Sequence, residues 1–158
     1  DKGGRSSVYS SDGHIVGEWY AGKLRTDSVR VSILAALGAN LRGLHMSELS
    51  LQGAYLDGHC LRGANLRGAN LTGASLRWTD LSYTDISFAQ LQNANLTGAL
   101  LSHADMQGTL LTWGGPDNAC VQLLEAASLQ GATLPDGTRL PDDETWVQAL
   151  HDWCFSEP

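Results

Sequence analysis

An all-β solenoid is the fold class this sequence predicts, and three features of its central region predict it. Every fifth residue is a large aliphatic: Leu41, Met46, Leu51, Leu56, Leu61, Leu66, Leu71, Leu76, Leu81, Ile86, Leu91, Leu96, Leu101, Met106 and Leu111. Two places before each of these runs a smaller series, mostly alanine, as at Ala64, Ala69 and Ala74, with Thr79, Thr84 and Thr109 among the exceptions. Glycine often follows two places after the aliphatic, and Asn, Asp or Ser often directly precedes it, giving a consensus A-[N/D/S]-L-x-G.

A period of five suits neither regular element. On a helix, successive leucines would be rotated by about 140° and form no face. On a flat strand they would alternate between the two sides. A short extended piece followed by a corner in every repeat brings each leucine to one shared axis. Glycine and Asn or Asp suit the corners, because they tolerate unusual backbone angles and bond locally.

The flanks read as caps, which an open-ended solenoid needs to cover its terminal leucines and strand edges. In the 1–38 segment, "VYSSDGHIVGEWY" places Asp12 and Gly13 between alternating residues, a β-hairpin signal. There "TDSVRVSILAALG" offers Thr26 or Asp27 as cap, a helical stripe of Val29, Ile33, Leu34 and Leu37, and Gly38 as stop. The coils then span 39–112. An insertion follows at 113–126, where Pro116 starts a short helix through "NACVQLLEAA". Repeats resume over 127–136 at Leu129 and Leu134, out of phase with Leu111 by roughly fifteen inserted residues. Finally 137–158 holds a lid helix with Trp146, Ala149, Leu150 and Trp153 on one face and Asp142 or Asp143 as cap. One repeat tract with capped ends makes the 158 residues a single domain, monomeric if both ends are closed.

The repeat tract resembles the pentapeptide-repeat family, whose motif is A-[D/N]-L-x-x, over about 39–113. That resemblance implies a right-handed quadrilateral β-helix, four repeats to a turn, with short N- and C-terminal capping helices. Residues twenty apart then stack in neighbouring coils. Asp57 falls beside Arg77 as an outward ion pair, while Asp85 falls on Asp105 and Arg42 on Arg62, both like-charged.

Candidate chemistry is sparse. His59 takes an inward alanine place and reads as a buried histidine bonded to backbone. His45 shares an outward column with Asn65, Asp85 and Asp105, a solvated row rather than a metal or acid-base site; His14, His103 and His151 have no evident partners. No CxxC, HExxH, phosphate loop or nucleophile elbow occurs. The expectation is a protein that is not an enzyme, with no cofactor and no metal.

Cys60, Cys120 and Cys154 form no framework. Cys120 lies in the insertion and Cys154 behind the lid helix, so the two are either bonded or free thiols. No stretch approaches the roughly twenty apolar residues of a membrane span, and no signal pattern opens the chain. The compartment stays open: cytoplasm, or periplasm or thylakoid lumen if a leader was removed. Some lumenal members of the family carry such a disulfide bracket.

Outward aromatics carry the strongest hint of a binding surface. Trp78, Tyr83, Phe88 and Trp113 occupy the place normally held by glycine, and His103 stacks next to Tyr83 in the implied coil. Covering the glycine of the neighbouring coil is the structural reading of these rings, and partner binding, with Tyr83, His103 and Trp113 foremost, is the functional one.

Charge then sorts the function classes. The net charge is −7, with +1 in residues 1–40, −1 in 41–112 and −7 in 113–158. No basic stripe for nucleic acid exists. Some members of the resembled family mimic DNA and modulate type II topoisomerases through acidic coil faces. Here the coil is nearly neutral and carries Arg42, Arg62, Arg67 and Arg77. A non-catalytic protein-protein interaction or scaffold module is therefore the leading expectation, with the topoisomerase modulator as the alternative.

Overall fold

The computed structural model describes residues 5–9, 15–20, 41–111, 120 and 122–155. Near the N-terminus, β1 (Arg5–Tyr9) and β2 (Ile15–Tyr20) pair antiparallel from Arg5↔Tyr20 to Tyr9↔Ile15, with an irregularity between Val8 and Tyr9. This is the hairpin that the alternation predicts. The helix expected over 26–38 lies outside the described residues.

From Leu41 onward the chain stacks on itself. Parallel bridges join His45 to Asn65, Ser50 to Asn70, Tyr55 to Ser75 and Cys60 to Asp80, and continue at the same spacing of twenty to Gln90↔Leu110. With five residues per repeat, a step of twenty is four repeats to the coil.

The repeat works because of its corner. The residue two places after the leucine has a positive φ, from 55° at Trp78 to 71° at Gly98, and the N–H after it returns to the leucine carbonyl, as in Ala64 N to Leu61 O at 2.9 Å. Positive φ at the third residue of a four-residue turn is the mark of a type II turn, and explains the glycine preference. Glu48, Trp78, Tyr83, Phe88, Asn93 and His103 adopt the same angle without being glycine.

Where Asn or Asp precedes the leucine, every N–H of the repeat can find a partner, as a narrow coil favours. In the repeat of Leu66, the Leu66 N–H donates to Asp85 O at 2.7 Å and that of Gly68 to Ser87 O at 2.9 Å, both on the next coil. The Ala69 N–H closes the corner on Leu66 O, and the Asn70 N–H reaches back to Leu49 O on the preceding coil. The last one, Arg67 N–H, donates to the side chain of Asn65 at 3.0 Å. The same side-chain turn recurs at Asn70, Asp80, Asp85, Asn95 and Asp105. Where Asn or Asp precedes the leucine, it thus satisfies the one amide that the stacking leaves out.

Inside, the leucine column is 0–1 % exposed from Leu41 to Met106, with the alanines packed between. Thr79, Thr84 and Thr109 are also buried, and their hydroxyls donate to Leu56 O, Leu61 O and Ile86 O, so each polar atom is paired. His59 is half-buried rather than buried, with Nδ1 2.8 Å from Asp57 O.

The insertion shifts the register by less than the spacing suggests. Leu100 bridges Ser128 and Asp105 bridges Thr133, steps of twenty-eight, eight more than the regular coil. The expected offset of roughly fifteen is corrected because residues before Ala127 already rejoin the stack: Gly98 N–H donates to Glu125 O, and Leu123 is fully buried. Of the helix expected there, Cys120 and residues 122–124 are helical.

The C-terminal end is covered by α1 (Trp146–Phe155), whose Leu150 and Cys154 are buried and whose Trp146, Ala149 and Trp153 pack on the core. Asp143 Oδ1 accepts the Thr145 N–H at 2.9 Å just before the helix, and Trp153 Nε1 donates to Asp136 at 2.7 Å, tying helix to coil. Cys120 and Cys154 are joined as a disulfide with Cα atoms 5.6 Å apart, and Cys60 is free.

Two outcomes follow for stability. Leu76→Ala opens a cavity in the fully buried column and should lower the unfolding free energy by about 3 kcal/mol in chemical denaturation. For Asp80 and Asp136, burial alone would raise the carboxyl pKa, but the hydrogen bonds from Ser82 and Cys60 to Asp80, helped by nearby Arg62, and from Thr138 and Trp153 to Asp136 outweigh it and hold both below the ordinary 3.8. Because the unfolded chain binds the proton more readily, their contribution is complete above that value and is lost as pH falls through and below it. Thermal melts monitored by circular dichroism should thus hold steady from pH 7 to 5 and drop below pH 4.

Candidate functional site

The corner geometry dictates where the aromatic side chains go. Rising from positive-φ corners, Trp78, Tyr83 and Phe88 lean over the matching corners of the next coil. Trp78 packs directly on Gly98, where an added Cβ would collide with the indole. Phe88 packs on Gly108, where such a Cβ would sit 2.7 Å from the ring. Tyr83 stacks on His103, centroids 4.6 Å apart and planes within 22°, and His103 in turn covers Gly131 and lies 3.4 Å from the Asp142 carboxylate.

Each of Trp78, Tyr83 and Phe88 also carries a guanidinium over its ring. Arg62 lies 4.5 Å from the centroid of Tyr83, Arg67 4.5 Å from Phe88 and Arg77 4.2 Å from Trp78. Rings and cations therefore form one belt, with 58 % of Trp78, 52 % of Tyr83 and 51 % of Phe88 still exposed. Each pair gains a cation–π attraction of about 0.5–1 kcal/mol at such exposed sites.

The expected Asp57–Arg77 ion pair does not form. Asp57 Oδ1 accepts the Arg77 main-chain N–H at 3.0 Å and the Ser75 hydroxyl at 2.6 Å, while the guanidinium turns to Trp78 and leaves Nε buried without a hydrogen-bond partner. Stacked Asp85 and Asp105 tolerate each other for the same reason: each carboxylate accepts the amide two residues on, from Ser87 and Gln107.

These rings do not all share one surface. Tyr83 and His103 are in contact, and Phe88 stands at the next corner, beyond Asp85 and Asp105. Trp113 lies outside the described residues. The flat between the Trp78 and Tyr83 corners carries the column Cys60, Asp80, Leu100 and Ser128. Leu100 is 40 % exposed there, between Gly98, under Trp78, and His103, under Tyr83. Sequence reading missed it, although the signal was present: Leu100 and Leu110 are aliphatic at a place that most often takes Asn, Asp or Ser.

Among the described residues no cluster of three or more His, Cys, Asp or Glu could hold a metal ion, and no helix is long and apolar enough to cross a membrane. The belt presents apolar ring edges beside cations.

Comparison with a family profile agrees with the five-residue repeat. Residues 38–68, 60–98 and 88–113 match the profile of the family Pentapeptide repeats, in eight copies. Among solved structures, the chain is similar to the pentapeptide repeat protein Rfr23 from the cyanobacterium Cyanothece 51142, at 34 % identity over 43 % of this chain and 46 % of that one, with a TM-score of 0.43. It is also similar to HetL from the cyanobacterium Nostoc sp. strain PCC 7120, a pentapeptide repeat protein involved in heterocyst differentiation regulation, at 34 % identity over 60 % and 42 %, TM-score 0.34. A third is a pentapeptide repeat protein from the Arabidopsis thaliana thylakoid lumen, at 28 % identity over 60 % and 61 %, TM-score 0.30. The matched part spans less than two thirds of each of these relatives. No curated protein matches.

Gly98→Ala tests the ring packing. The substitution must adopt a φ of 71° and displace the indole of Trp78, so it should cost about 1–2 kcal/mol from the backbone alone and more from the ring. Combining it with Trp78→Ala should remove the ring's share, measured as a non-additive denaturation cycle.

Proposed function

The repeat tract, residues 38–113, belongs to the pentapeptide-repeat family, and on that premise we propose that this chain is a non-catalytic module that binds or scaffolds a protein partner. In this reading the chain is a single domain, a right-handed quadrilateral β-helix with helices closing both ends, and it acts as a monomer. One observation carries the reading. The flat bounded by Trp78 and Tyr83 presents Leu100 between two half-exposed rings, on a backbone whose amides are bonded coil to coil. Such a surface loses little conformational entropy when it is covered, which favours association. His103 and Phe88 extend the surface at its margins.

The alternative, a DNA-mimicking modulator of type II topoisomerase, calls for an acidic coil face. The coil sets four arginines against five acids, and four of those acids, Asp57, Asp80, Asp85 and Asp105, bond to corner amides. Supercoiling by gyrase should proceed unchanged in the presence of the purified chain. Clear inhibition, or protection from a quinolone, would replace the present reading with the alternative.

Leu100→Asp probes the proposed surface directly. Immobilised wild-type chain should retain a specific protein from source-cell lysate, the Leu100→Asp chain should retain at least tenfold less, and deletion of residues 112–119 should change little. Equal recovery by wild type and Leu100→Asp would remove this flat as the site.

A further inference from the structure

Of the ten residues of α1, two are buried, Leu150 and Cys154, and the second of these is a half-cystine. An isolated helix of this length is marginal in water, so docking on the coil is what keeps it folded. Apart from the sulfur, that docking rests mainly on Leu150, on the partly covered Trp146, Ala149 and Trp153, and on the hydrogen bond from Trp153 to Asp136.

The two ends of the disulfide are seated differently. Cys120 belongs to a segment fixed on the coil wall, where Gln122 Nε2 donates to Leu91 O at 2.9 Å and to Ala94 O at 2.8 Å and Leu123 is fully buried. Cys154 stands in the last turn of α1, and helix ends fray first. The bond therefore pins the weakest part of the lid to a well-held wall. The coil-to-coil amides from Gly43 to Leu110 do not run through it.

We propose that this disulfide is a redox gate on the C-terminal lid, closed as the cystine and opened by a dithiol reductant. A thiolate of the reductant attacks Cys154 Sγ, the Sγ–Sγ bond breaks and Cys120 leaves as a thiolate. The second thiol of the reductant then displaces Cys154 and departs joined to the first as a disulfide, so two electrons and two protons pass from the dithiol to the two cysteines. Cys120 is 2 % and Cys154 5 % exposed, so attack follows a local opening of the last helical turn. With the bond cut, Trp146, Leu150 and Trp153 leave the core and the apolar end of the coil beneath them is uncovered.

A plain structural staple is the competing role, since a cross-link also stabilises by restricting the unfolded chain. The two differ in what reduction releases. A gate frees α1 alone, whereas a staple weakens the whole coil.

Amide hydrogen exchange of the full chain, read by mass spectrometry before and after treatment with dithiothreitol, separates them. Alkylation in a denaturing quench reports the state of the bond: Cys60 alone reacts in the oxidised chain and all three cysteines react in the reduced one. Residues 146–155 should then exchange at least tenfold faster while 61–111 keep their protection, and reoxidation should restore the lid. Cys154→Ser should show the open pattern without any reductant. Unchanged protection of 146–155 in the fully alkylated chain overturns the proposal, as does equal loss across 61–111. A bond that dithiothreitol cuts only in denaturant overturns it too, because a gate has to open on the folded chain.

Discussion

The positive-φ corner is the constraint from which the rest of this structure follows. A residue held near φ 60–70° every fifth place turns the chain by a fixed amount, so that leucines recur on one axis and amides recur one above another at intervals of twenty. Remove the corner and neither the dry column nor the ladder of N–H donors has a reason to exist. Glycine is the cheapest occupant, since other residues lose about 1–2 kcal/mol in this conformation. That cost makes the exceptions informative.

Six corners described here carry a side chain despite the cost, and four of these are rings: Trp78, Tyr83, Phe88 and His103. Each ring reaches the corner below and covers it, and the first three receive an arginine above or beside them. Packing therefore accounts for the presence of the rings, and their exposed edges are what is left for recognition. The two roles meet at Tyr83, which is at once the floor under Arg62 and the roof of His103.

The architecture was legible in the sequence because the period of five is stated in the leucines themselves, with no tertiary information needed. Asn or Asp before the leucine, glycine after it, and threonine in alanine's place each proved to have one physical job. What could not be read was orientation among polar side chains. Asp57 and Arg77 do stack as the spacing requires, but a main-chain amide is a closer and more rigid partner for the carboxylate than a long side chain, and Arg77 takes the indole instead. Leu100 escaped attention because hydrophobicity inside a leucine-rich repeat looks like core; only its place in the five-residue count marks it as outward. The offset of the insertion was misjudged because helical residues rejoin the stack before the motif itself reappears.

That insertion also shows how the coil survives interruption. In the regular pattern, the carbonyl of Ala94 would accept an amide twenty-one residues later, as Ala89 does from Leu110. Gln122 brings a side-chain donor to that carbonyl: its Nε2 bonds Ala94 O at 2.8 Å and Leu91 O at 2.9 Å from a buried position. A single carboxamide thus ties the inserted segment to two carbonyls of one repeat. A solenoid of this type can therefore hold a mid-course loop against its own wall through one glutamine that reaches the carbonyls of a nearby turn.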